Sequence, residues 1–261
     1  MGALWSESVM ALRRFYVDPS GLVEDGVWIR GDLFHHICDV CRFREGDVFE
    51  VLTGSREAWR VEIASVEKRE LFARKMASRT LPELPKPHLT LALSIPKLPK
   101  VDWIVEKCVE LGVAQIRPFV SDYSFLRKKS EISPGRMARW NKLVQTATQQ
   151  SGRGDLMRVH PPAALEDLLL DFNRQNATGG LFPYEGEAQV GLPEAVAELK
   201  ARSLDEIWIF VGSEGGFSAR EVALFTQHGM KPVSMGEQIL RVETACLALV
   251  SIIKYEIGAL R

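Results

Sequence analysis

Two short stretches of this 261-residue chain combine residue types that can do chemistry. The first is VGSEGGF, residues 211–217, where an apolar run enters a glycine-rich turn ahead of a helical pattern. Such a turn lets backbone approach a ligand closely and leaves free N–H groups at the helix start. It is not G-x-G-x-x-G, and it lacks the Lys-Ser/Thr of a phosphate-binding loop. Glu214 inside it would repel an anion but can hold a ribose hydroxyl or a cation. Taken alone, the stretch reads first as a plain strand-to-helix turn. The second stretch, SMGEQILRVETACLAL (234–249), sets Arg241 and Glu243 two residues apart after Gly236. This is either a polar site or an exposed ion pair, with Glu243 or Thr244 available to cap the helix.

Positive charge is concentrated between residues 97 and 158, with twelve Lys and Arg against six Asp and Glu. Arg127, Lys128, Lys129, Arg136, Arg139, Lys142 and Arg153 make this segment a candidate polyanion surface, the alternative being a solvated helix face. His35, His36, Cys38 and Cys41 lie within seven residues. They lack a second ligand pair, so no metal is expected. Cys108, Cys246, Trp103 and Trp140 fall on helical patterns and read as core.

Strands and helices must position these groups. Residues 13–17, 27–30, 48–52 and 58–66 alternate in the manner of strands, and Asp32 can cap a helix over LFHHICDVCRF. Several short strands and one helix suggest a small barrel. LPELPKP (81–87) holds three prolines and marks a stiff linker. Beyond it, a continuous apolar run at 89–95 and strands read at 114–120, 179–184, 206–212 and within 231–236 alternate with helical patterns. The last helix spans 243–260, and Ser218 with Glu221 forms a capping box before another. That alternation means a mainly parallel sheet covered on both faces.

Composition is that of a globular protein, with 46% hydrophobic and 26% charged residues and a formal net charge of −1. No apolar run reaches membrane-spanning length. MGALWSESVMA (1–11) lacks the basic region and apolar core of a signal peptide and reads as a short extension. Four cysteines make no disulfide framework, so a cytoplasmic location is expected.

VGSEGGFSAREV and MGEQILRVETA resemble, in order and spacing, the two C-terminal signatures of the bacterial family that methylates N3 of a uridine in 16S ribosomal RNA. That family belongs to the SPOUT class. RRFYV, HHICDVCRFREGDVFEVLTG, IPKLPKVDWIVEKCVELGVAQIRPFVSDYS and TQQSGRG fall where the family has comparable segments. The resemblance implies a PUA-like RNA-binding β-barrel at 12–80, a linker at 81–87 and a trefoil-knotted α/β methyltransferase domain at 88–261. It implies S-adenosylmethionine (AdoMet) as cofactor, held by Leu181, Phe182, Gly212, Glu214, Gly215, Gly216, Met235, Gly236, Ile239, Leu240 and Arg241. Arg241 and Glu243 would be catalytic, Arg241 as a buried cation stabilising a uracil anion and Glu243 as proton acceptor or as a hold on Arg241. Arg42, Arg127, Lys128, Lys129 and Arg153 would contact RNA, with 16S rRNA or the small ribosomal subunit as partner. A homodimer is implied, and the last helix, apolar on more than one face, agrees with it. The chain departs from the family pattern at Tyr123, Gln149, Ser213, Gln238 and Val242. This leaves open a related RNA methyltransferase with another target nucleotide, or a non-catalytic RNA-binding ribosome-assembly factor.

Overall fold

The computed structural model describes residues 12–174, 177–186 and 190–260, so the extension read at 1–11 lies outside the described residues. The chain forms two compact units. The first runs to Glu83 and also takes in Thr148–Leu156; the second comprises Leu84–Ala147 and the chain from Met157 onward.

The first unit contains β1 (Arg14–Tyr16), β2 (Leu22–Val23), β3 (Gly26–Arg30), α1 (Gly31–His35), β4 (Val48–Leu52), β5 (Glu57–Val66) and β6 (Glu70–Thr80). These strands make one six-stranded sheet in the order β1-β4-β5-β6-β3-β2. Register shifts in the β5–β6 pairing, at Arg60/Val61 and Ile63/Ser65, let the two longest strands bend, and the sheet curls. The concave side closes over Phe15, Val27, Ile29, Phe34, Ile37, Phe49, Val61 and Leu71. Phe15 and Phe49 meet edge to face at 5.2 Å. The buried carboxylate of Glu50 is satisfied by Arg14 Nε at 2.9 Å and Arg79 Nε at 2.8 Å, which ties β4 to β1 and β6. Asp32 is not a cap: Arg30 holds that position without a side-chain bond, and the helix passes into a π turn over His36–Val40.

Residues 148–156, which the sequence places with the C-terminal domain, cluster with the first unit for a visible reason. Tyr16 N donates to Gln149 Oε1 at 3.1 Å, and Arg56 N donates to Gly154 O at 2.8 Å. Leu81, the start of the proline-rich stretch, is buried against Leu52 and Ala58 and is part of this unit's packing.

The second unit begins with β7 (His88–Ser94), α2 (Leu98–Glu110), β8 (Gln115–Val120) and α3 (Pro134–Ser151), whose last turn belongs to the first unit. There follow β9 (Arg158–Val159), β10 (Ala163–Ala164), α4 (Leu165–Arg174), β11 (Thr178–Pro183), β12 (Val190–Gly191) and α5 (Leu192–Lys200). The chain ends with β13 (Glu206–Val211), α6 (Ala219–Gln227), β14 (Pro232–Ser234) and α7 (Val242–Glu256). The sheet order is β10-β8-β7-β13-β11-β14-β12, with β9 beside β8, and the pairings are parallel. β7 and β13 are buried almost throughout, as central parallel strands must be. On one face Phe119, Trp208 and Phe210 pack with Leu168, Leu169 and Phe172 of α4 and Phe225 of α6. Helices α2 and α7 pack on each other through Ile104, Cys108, Cys246 and Leu249, all fully buried. The α/β class with a parallel sheet is as the sequence implied.

Candidate functional site

Three loops leave neighbouring carboxyl ends of the parallel sheet, after β11, β13 and β14, where ligands bind in open α/β sheets. They enclose a cavity of about 390 Å³, within the size range of small-molecule sites. Gly212, Gly215, Gly216, Met235, Gly236, Ile239 and Leu240 line it, as the sequence proposed. So do Pro183, Tyr184 and Ala245, which the sequence did not single out, and Ser213, Phe217 and Gln238, which it named without this role.

Leu181 and Phe182 do not line it; this is a correction. β11 continues to Pro183, so both side chains stay inside the sheet, where Phe182 stacks on Phe225 at 4.5 Å. The residues after the strand, not within it, face the cavity. Glu214 and Arg241 also fall outside the lining.

The glycines of 211–217 have distinct reasons. A Cβ on Gly212 would stand 3.0 Å from the Gly216 backbone, which cannot give way. Gly215 has ordinary φ, but a Cβ there would stand 2.7 Å from Tyr123 Cβ. Gly216 adopts φ +67°, the left-handed region, and closes the turn by donating its N–H to Ser213 O at 2.9 Å. Ser213 Oγ donates to Tyr123 O at 2.7 Å and fastens the turn to the loop after β8. Ser218 caps α6 as expected: its N–H donates to Glu221 Oε2 at 2.9 Å, and Glu221 Oε1 takes Asp122 N at 2.8 Å. Arg220 grips Asp122 and Glu166, and with the Ser218 hydroxyl it holds the Asp122 carboxyl below the usual aspartate range.

The third loop turns at Gly236, φ +110°. α7 starts at Val242, ahead of both expected caps: Arg241, in extended conformation, occupies the cap position without a side-chain bond, and Glu243 lies in the first turn. Arg241 is exposed, so the expectation of a buried cation there is corrected; its extended backbone turns the chain at the surface. Glu243 is half-buried and meets Lys100 of α2, whose Nζ stands 3.1 Å from Glu243 Oε2 and 3.3 Å from Glu214 Oε1. One ammonium thus joins the glycine turn to the start of α7. Burial opposes ionisation of Glu243, but the backbone N–H at the helix start, Lys100 and Arg241 outweigh it and hold its carboxyl below the usual range. A carboxylate so stabilised is a weak base. It is suited to holding cations.

Arg42, Arg127, Lys128 and Lys129 are exposed, and Arg42 sits at φ 60°. Arg153 is not available to phosphate; this too is a correction. Its side chain is 5% exposed and pairs with Asp155 at 3.0 and 3.1 Å. Arg136 and Arg139 both reach Asp102, which also takes the Nε1 proton of buried Trp140 at 2.9 Å. Trp103, expected in the core, is 42% exposed. His35 pairs with Asp39, and among the described residues no cluster of three or more ligand-type side chains is present.

Residues 82–254 match the model of the RNA methyltransferase domain, and residues 29–76 match the RNA methyltransferase PUA domain. The ribosomal RNA small subunit methyltransferase E of Synechocystis is 30% identical over 92% of this chain and 76% of its own length. The protein of that name from Bacillus subtilis is 29% identical over 89% of this chain and 91% of its own. The crystal structure of a ribosomal RNA small subunit methyltransferase E from Neisseria gonorrhoeae bound to S-adenosyl methionine superposes with a TM-score of 0.80 at 26% identity, covering 94% of this chain and 97% of that one. With its matched catalytic-type domain, its PUA domain and a similarity that runs nearly end to end, the chain belongs to the RNA methyltransferase family that includes the ribosomal RNA small subunit methyltransferases E.

Proposed function

We propose that this chain transfers a methyl group from AdoMet to N3 of a uridine in 16S rRNA. The observation that carries the reading is the glycine-built cavity at the ends of β11, β13 and β14, in a chain of this family. Its residues fit the cofactor: Met235, Ile239 and Leu240 offer an apolar slot, and the open backbone at Gly216 and Gly236 leaves room for a ligand to approach.

AdoMet supplies a methyl already activated on a sulfonium, so the protein has to orient the base and handle its charge. Uracil N3 must shed its imide proton before it can bond the methyl carbon. Arg241, exposed at the cavity's edge of α7, stabilises the negative charge that then spreads over the ring. Glu243, kept ionised, positions Lys100 and Arg241. A base-paired uridine hides N3, so the target is unpaired or extruded. Arg42, Arg127, Lys128 and Lys129 contact RNA phosphates. Two domains divide the work, the curled N-terminal sheet holding RNA and the knotted α/β domain from about residue 88 holding cofactor.

The protein works in the cytoplasm as a homodimer. None of its four cysteines is in a disulfide, and among the described residues no helix is long and apolar enough to cross a membrane. Ile252 and Tyr255 are exposed on α7 beside an apolar groove formed with Leu192 and Val196 of α5, a face suited to a second copy. Calorimetry with AdoMet tests the cofactor assignment: saturable binding at one site per chain is expected, and absence of binding would leave an RNA-binding assembly factor as the better reading.

A further inference from the structure

Downstream of β8 the chain alternates in exposure. Ser124 and Leu126 are buried, whereas Tyr123, Phe125 and Arg127 face solvent. The two rings are 51% and 52% exposed, large apolar areas to leave in water. Their backbone is tied down on both sides. Phe125 N donates to Ile95 O at 2.8 Å, Ser213 Oγ donates to Tyr123 O at 2.7 Å, and Ser124 Oγ stands 2.6 Å from Leu126 O. The rings are therefore presented by a fixed segment. Tyr123 also abuts the glycine turn so closely that a Cβ on Gly215, a cavity-lining residue, would collide with it. Arg127, Lys128 and Lys129 follow directly, all exposed.

We propose that Tyr123 and Phe125 form a stacking platform for unpaired bases of the RNA substrate at the rim of the methyl-transfer cavity, with the following three cations on the adjoining phosphates. The proposal rests on the RNA methyltransferase reading. A uridine whose N3 reacts has left its helical stack, and an aromatic face replaces the stacking it lost. Every base has such a face, so the platform favours unpaired over paired strands with little sequence preference. Aromatic rings followed directly by cations serve a single-stranded polyanion better than they serve a protein surface.

The test compares the parent with the double variant Tyr123→Ala/Phe125→Ala and with Tyr123→Trp. Each is titrated with a short oligouridylate and with an abasic ribose-phosphate oligomer of equal length across a salt series, alongside AdoMet calorimetry and light scattering. The double variant should lose about tenfold or more in affinity for oligouridylate. Its salt slope should not change, because every phosphate-binding cation is kept. Abasic binding and AdoMet affinity should match the parent, and Tyr123→Trp should retain oligouridylate binding. Unchanged oligouridylate affinity in the double variant overturns the platform, as does an equal loss on the abasic oligomer. Loss of self-association with RNA binding intact assigns the rings to a second copy of this chain and also overturns it. A parent that binds oligouridylate but not AdoMet sinks the methyltransferase reading and leaves the platform standing.

Discussion

Gly216→Ala separates what the glycine turn does for folding from what it does for a ligand. Gly216 sits at φ +67°, and a Cβ built there meets no atom within 4 Å among the described residues. The stability cost is therefore conformational and not steric, about 1–2 kcal/mol for an L-residue in the left-handed region. In a chain of this length each kcal/mol lowers Tm by roughly 2–4 °C. Because Gly216 lines the cavity, the added methyl also takes up ligand space. Overpacking of that kind costs about 1–3 kcal/mol, which weakens AdoMet by about five- to 150-fold. Gly229→Ala is the control: φ is +77°, the Cβ again meets nothing, and the residue follows α6 away from the cavity. Calorimetric titration with AdoMet and thermal melts of both variants decide the matter. Both should lose similar Tm, and only Gly216→Ala should lose affinity. Equal affinity in the two variants would refute the assignment of this turn to the cofactor.

Lys100→Met removes the cation shared by Glu214 and Glu243, so AdoMet affinity should fall several-fold while Lys100→Arg keeps most of it; unchanged titrations for Lys100→Met would show that this shared ammonium has no part in cofactor binding. The same variant should unfold at higher pH in an acid titration followed by circular dichroism. Glu243 is held below its ordinary value, so its contribution is complete above about pH 4.3 and is lost as pH falls through the lowered folded value; losing Lys100 raises that folded value. Arg153→Ala should cost about 1–3 kcal/mol in urea unfolding and leave the salt slope of RNA binding intact, since its guanidinium is buried on Asp155. Neutralising Arg127, Lys128 and Lys129 together should instead flatten that slope, by about 0.7 for each phosphate no longer neutralised, with AdoMet affinity unchanged.

The elements around the site were legible where local pattern and packing agree. The run at 206–212 is apolar because β13 is covered on both faces, and Ser218 with Glu221 announces α6 because the capping box is a local bond pair. β6 was invisible for the opposite reason: of its residues only Leu71 and Ala73, near its start, are buried, and beyond them Arg74, Met76, Ser78 and Thr80 face solvent. The glycine turn stood out as a motif. Which glycine needed left-handed backbone and which needed to clear Tyr123 depends on a loop some ninety residues away, and no spacing encodes that. Leu181 and Phe182 fall inside the strand that the sequence reads at 179–184, and only the packing shows that their side chains are taken up in the core, Phe182 against Phe225, and not by the cavity. Arg153 looked like one more surface cation, since the pairing that buries it on Asp155 leaves no mark in a charge count.

The central claim is tested most directly by single-turnover transfer of labelled methyl from AdoMet to 16S rRNA, presented free and in small ribosomal subunits, followed by nucleoside digestion and mass mapping. Parent protein should place one methyl on one uridine as 3-methyluridine, and Arg241→Ala should bind the same RNA with the transfer lost. Label on a different nucleotide would contradict the N3 assignment, and absence of label with both ligands bound would contradict catalysis itself.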